Sequence, residues 1–156
     1  MNEMDLPFFL EISPTAGLHL DEASAARAFL GLSKEAALEL ICESSAYYLE
    51  MLMWMGPTAF AYYLHPAISY IESPASRADA DAVNVLTAAI RFQLDWEAGN
   101  LTQCNSSIVR FCDYVLANFS KFDISPKIYP GLDERITELG IAAQGLNQQV
   151  QRRLGV

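Results

Sequence analysis

The chain has 156 residues, 52% of them hydrophobic and 19% charged, which suits one domain with a substantial core and excludes a disordered adaptor. Its net charge of −9 lies wholly in residues 1–82, where Arg27, Lys34 and Arg77 face four times as many acids, while residues 83–156 are neutral. Nucleic acids and anionic membranes need a positive footprint, so this balance argues against both; it permits a basic protein as partner, and equally suits acids that only keep an apolar protein in solution.

In chain order, residues 1–20 read as an irregular lead-in punctuated by Pro7, Pro14 and Gly17. Acids stand there where an export signal would carry lysine or arginine, so a cytoplasmic protein is expected. Asp21 caps a short helix to about Leu30, with Gly31 as its stop. Ser33 caps a long helix, SKEAALELICESSAYYLEMLMWM, which Gly56 and Pro57 end. Pro57 suits the first position of the next helix, which runs to about Ser73 with a kink at Pro66. SPASRAD is a loop, and Asp79 or Asp81 caps a fourth helix through Glu97, stopped by Gly99-Asn100. A fifth helix spans about Asn105–Phe122, followed by the loop DISPKIYPGL. Asp133 starts a final helix in which Gly140 and Gly145 mark close packing or a weak spot, and Arg152 and Arg153 suit its C-terminus. Strand signals are sparse. The fold class expected is all-α: one compact bundle of five to six helices over residues 1–156.

Between Glu50 and Glu72, 21 residues carry no formal charge, a length that spans a bilayer. Gly56-Pro57 and His65-Pro66 interrupt that run, three tyrosines lie in it, and both flanks are acidic. A pair of core helices explains it better than a membrane span.

The chemistry-bearing residues are few. The only histidines are His19 and His65, and no HExxH, paired ExxH or zinc-spaced Cys/His cluster occurs. Cys42, Cys104 and Cys112 form no CxxC and read as reduced thiols. Ser44-Ser45 and Ser106-Ser107 lack a GxSxG elbow, and there is no Walker loop or Rossmann fingerprint. The pairs Asp79/Asp81 and Asp95/Glu97 suit helix ends better than acid–base work. No catalytic residue, cofactor or metal ligand is therefore expected.

Placed 100° apart, Glu35, Glu39, Glu43 and Glu50 of the long helix share an arc of about 80°. The opposite arc holds Leu38, Leu40, Ile41, Tyr47, Tyr48, Leu49, Leu52, Trp54 and Met55. Glutamates at i and i+4 repel by about 0.2–0.5 kcal/mol per exposed pair, so the stripe either faces a basic partner or only solubilises an apolar helix. Tyr62 and Tyr63 cannot both point one way; one is expected inward, the other with an edge in solvent. The partner-binding residues expected are Glu35, Glu39, Glu43 and Glu50, with Tyr47, Trp54 and Tyr62 as aromatic anchors. Two alternatives stay open. A sensor or enzyme would line a pocket between helices with Met53, Trp54, Phe60, Tyr63 and His65. A structural homo-oligomer, such as a homodimer, would bury surplus apolar surface against itself.

The stretch LEMLMWMGPTAFAYYLHPAISYIES resembles a pattern in small uncharacterised bacterial helical proteins, with a Gly-Pro-x-Ala-Phe-x-Tyr-Tyr-Leu core. FLGLSKEAALELI before it and KIYPGL after it extend the likeness over most of residues 28–132. Proteins of this size and acidity are often immunity partners of bacterial toxins. Size and acidity thus lead to the expectation of a protein that neutralises a toxin by direct binding, while the resemblance itself brings no established activity and carries over no catalytic residue.

Overall fold

A computed structural model describes residues 5–97 and 101–155, and the chain runs through eight α-helices with no strand among those residues. They are α1 (Phe9–Ile12), α2 (Leu20–Phe29), α3 (Lys34–Glu43), α4 (Ser45–Glu50), α5 (Pro57–Glu72), α6 (Ala80–Glu97), α7 (Asn105–Ala117) and α8 (Leu132–Leu154). Short 3₁₀ turns at Met51–Trp54, Pro74–Ser76, Thr102–Cys104 and Phe119–Phe122 join them. The all-α expectation holds; the count of five to six is too low. The lead-in contains α1, and the expected stop at Gly99-Asn100 lies outside the described residues.

The centre of the bundle is α5, which packs against α1, α3, α6 and α7 and exposes only Thr58, His65 and Ser69. Pro57 starts it at the position where a missing N–H costs nothing. Pro66 sits in its interior, at a cost of about 3 kcal/mol. Burial of Phe60, Tyr63, Leu64 and Ile71, about 1.5–3 kcal/mol each, outweighs that, and the helix continues through the proline.

The long helix expected from Ser33 to Met55 is in fact three pieces. Ser33 caps α3 as expected, accepting from the Ala36 N–H at 3.1 Å. At Ser44 the backbone leaves the helical region (φ −158°, ψ 81°), α4 begins anew, and Met51–Trp54 tightens into a 3₁₀ turn. The cause lies elsewhere in the chain. The Ser45 hydroxyl donates to the Asp79 carboxylate at 2.5 Å, and Asp79 also accepts from the Tyr70 hydroxyl at 2.6 Å. The same carboxylate caps α6 by accepting from the Ala82 N–H at 3.0 Å. A straight helix of that length would run about 33 Å past the core. Broken at Ser44, it lays α3 on α5 and α4 on α6.

Three polar side chains then tie helix ends to the core. The Gln93 amide of α6, only 2% exposed, donates from Nε2 to the carbonyl oxygens of Leu52, Met53 and Met55 at 2.7–3.1 Å. The buried Tyr63 hydroxyl donates to the carbonyls of Phe29 and Leu32, at 2.7 and 3.0 Å, where α2 ends. The Lys121 ammonium donates to the carbonyls of Ile71 and Ser73 at 2.8 and 2.9 Å, closing the C-terminus of α5. On the far side α7 packs on α8, where Gly140 lets the helices close: a β-carbon there would sit 3.3 Å from the Cys112 β-carbon. Gly145 faces open space, so of the two glycines only Gly140 marks tight packing.

Two stability predictions follow from these ties. Gln93→Leu leaves the corner carbonyls without their donor and should lower unfolding free energy by about 1–3 kcal/mol, read from urea denaturation. Burial pushes the Tyr63 and Tyr70 hydroxyls up to about 12, with the Asp79 carboxylate adding to the second, and pushes the Cys104 and Cys112 thiols to about 11 and 12. The folded state thus keeps protons that the unfolded chain releases. Stability should be level below about pH 9 and fall steadily between pH 9 and 12. Tyr70→Phe, starting from lower stability, should lose less across that window; a flat profile for the parent protein would contradict the assignment.

Candidate protein-interaction surface

The structure separates the residues expected at the partner surface. Glu35, Glu39 and Glu43 form an exposed row along α3, and no ion pair to them occurs among the described residues. Glu50 is also exposed, but on α4 beyond the Ser44 break, so it does not extend the row as one helical stripe. Tyr47 is 58% exposed and meets Tyr48 edge-on at 5.0 Å. Trp54 is half-buried with its ring 5.5 Å from that of Phe92. Tyr62, expected either inward or with an edge in solvent, is 8% exposed, and so is not free to anchor a partner; Tyr63 is buried too. The Tyr62 ring stands against that of Tyr63 at 4.9 Å, and the Lys34 ammonium lies 5.1 Å from the centre of the Tyr62 ring. Both tyrosines turn inward because α5 is enclosed on nearly every side, which a two-sided reading of adjacent residues does not anticipate.

The five side chains of the expected pocket lie in different surroundings. Phe60 and Tyr63 are fully buried in the core, whereas His65 is exposed on α5. Desolvation, with Lys34 and Arg110 nearby, lowers the His65 pKa. Met53 instead borders a different cleft, between α6 and α8. Among the described residues no group of three or more His, Cys, Asp or Glu could hold a metal ion, and no helix is long and apolar enough to cross a membrane.

The segment read as a lead-in holds the most distinctive surface. Of 13 exposed large apolar side chains among the described residues, seven lie between Leu6 and Leu30. Exposed apolar side chains that gather into one patch mark interaction sites, and two of these seven, Phe9 and Leu30, border a common hollow. Its backbone is firmly held. Glu22 accepts from the Thr15 N–H at 3.0 Å, the Ser13 hydroxyl at 3.3 Å and the Thr15 hydroxyl. The Ser13 hydroxyl in turn accepts from the Gly17 N–H at 2.9 Å, across a turn where Ala16 and Gly17 take left-handed φ of 55° and 83°. Glu11 accepts from the Phe8 N–H at 2.8 Å, and its own carbonyl accepts from the Gly56 N–H at 2.9 Å.

This scaffold buries Pro7, Ile12 and Ser13 but turns Phe8, Leu10, Leu18 and Leu20 to solvent, the last two more than 80% exposed. Between Phe9, Ala23, Ala26 and Leu30 lies an apolar hollow of about 220 Å³, with Arg27 at its edge. The charged groups of this segment are Asp5, Glu11, Asp21 and Glu22 against Arg27 alone. Sequence reasoning passed over it because prolines and a glycine break the helical period. The usable signal was the density of Leu and Phe in LPFFL and LHL, too high for a solvent-facing loop.

Compared with protein-family models, curated proteins and solved structures, the chain matches none.

The surface depends on one close contact. A β-carbon at residue 56 would meet the Glu11 carbonyl oxygen at 2.7 Å. Gly56→Ala should therefore push α1 off the corner. Amide exchange in residues 8–17 should speed up by at least tenfold while α7 and α8 keep their protection.

Proposed function

We propose that this protein is a non-catalytic, cytoplasmic binding domain that docks a basic partner protein through its N-terminal apolar face. The observation that carries the reading is the cluster of exposed leucines and phenylalanines from Leu6 to Leu30, set among carboxylates and held on a hydrogen-bonded scaffold. Apolar side chains supply affinity where they enter a partner's pockets, and a surrounding field of one sign selects a partner of the other sign. A second copy of the chain suits this face less well, because a twofold contact would bring the same carboxylates together. The exposed row Glu35, Glu39 and Glu43 adds to that field and would speed the encounter. The size and acidic character of the chain support a concrete form: an immunity protein that neutralises a cognate bacterial toxin by covering its site.

The test is to purify the chain with the product of whichever reading frame adjoins its own and look for one complex by gel filtration and calorimetry. Leu10→Ser with Leu20→Ser, both at exposed positions, should weaken the complex at least thirtyfold. The E35Q, E39Q and E43Q triple variant should mainly slow association, by about tenfold at low salt. No complex, or a complex untouched by the leucine variants, would overturn the reading. Self-association of the chain in place of a complex would do the same.

A further inference from the structure

The cleft bordered by Met53 belongs to neither surface above and does not rest on the proposed partner. It has a volume of about 450 Å³, within the range of small-molecule sites. Its apolar wall is made by Met53, Ala88 and Phe92. The Phe92 ring is flanked by the rings of Trp54 at 5.5 Å and Trp96 at 5.9 Å, and Trp96 is 74% exposed. An exposed tryptophan continuing a half-buried aromatic run is a surface that a ligand side chain can extend.

The charges at the mouth form a pattern. α6 brings Arg91 and, one turn on, Asp95, paired with each other at 2.8 Å. α8 brings Arg135 and, one turn on, Glu138. Each helix thus sets a base and then an acid at the cleft, and the mouth carries two charges of each sign. In a protein with net charge −9 this is a local balance. Neither guanidinium is used up. Arg91 Nη2 donates to Asp95, and Arg135 Nη2 donates to the Asn84 side-chain oxygen at 2.8 Å, leaving further N–H groups on both. No ion pair to Glu138 occurs among the described residues. A lone anion would meet Asp95 and Glu138, and a lone cation would meet Arg91 and Arg135. A molecule bearing both charges satisfies both sets, with its apolar part on Phe92 and Met53.

We propose that the cleft between α6 and α8 binds a free amino acid with a large apolar side chain, in its zwitterionic form. The carboxylate accepts from Arg135 and Arg91, the ammonium donates to Glu138, and the side chain lies against Phe92. A peptide is a poorer fit, since its two terminal charges belong to different residues.

The chain has two tryptophans, Trp54 and Trp96, and both stand against Phe92, so their emission reports on this cleft. The full chain is titrated to millimolar concentration with L-phenylalanine and L-leucine, following tryptophan emission and melting temperature. N-acetyl-phenylalanine and phenylalanine amide serve as probes that keep the ring but lose one charge. The free amino acids should give a saturable emission change and a raised melting temperature, and the two derivatives should bind at least tenfold more weakly. Arg135→Gln and Glu138→Gln, both at exposed positions, should each weaken L-phenylalanine about tenfold while leaving the unliganded melting temperature close to that of the parent. The proposal is overturned by no saturable change with either amino acid, by derivatives that bind as well as the parent compounds, or by variants that bind undiminished. These outcomes are independent of toxin binding, which the leucine variants test separately.

Discussion

One buried amide organises the corner on which the rest of the structure depends. Between α4 and α5 the chain reverses through Met51–Pro57, and a reversal against a core leaves carbonyl oxygens largely shielded from water. Gln93 reaches across from α6 to three of them. Gly56, in the same corner, leaves room for the Glu11 carbonyl to accept its N–H, so α1 is pinned to the same point. The path of α4, the entry of α5 and the seat of the N-terminal segment therefore share one solution to one problem: satisfying backbone polarity where the chain turns in apolar surroundings.

The same logic recurs at the other helix ends. Tyr63 closes α2, Lys121 closes α5, and Asp79 joins α4, α5 and the start of α6. The first two are long-range ties from a side chain to a helix terminus, where backbone groups lack helical partners, and Asp79 adds a local cap to its side-chain bonds with Ser45 and Tyr70. With polar work concentrated at the ends, the helix flanks are free to be apolar, and α5 can be enclosed on nearly every side despite Pro66. The acids not drawn into these ties, Glu35, Glu39 and Glu43 among them, are left at the surface and give the N-terminal half its field.

That division bears on function. The polar ties make a rigid frame, and two surfaces are then left over that the frame does not explain. One is the apolar face from Leu6 to Leu30, held in place by Glu11, Glu22 and Gly56 yet turned outward. The other is the charge-balanced cleft beside Phe92. They differ in chemistry: one offers broad apolar contact within negative charge, the other a small hollow with paired charges. A protein-sized partner suits the first and a small zwitterion the second.

By itself the sequence determined what depends on neighbours a few residues away. The all-α class, Ser33 capping α3, Pro57 opening α5 and an aspartate at 79 or 81 capping α6 were legible, because caps, turns and periodicity are local. Only the tertiary structure decided the break at Ser44, which answers to Asp79 in a later helix, and the burial of both Tyr62 and Tyr63, which follows from how completely α5 is surrounded. It also decided that Phe8, Leu10, Leu18 and Leu20 face outward, and that Arg91 and Arg135 meet at one cleft. Those outcomes rest on contacts between residues far apart in the chain, and no pattern within a single helix encodes which distant side chain arrives to make them.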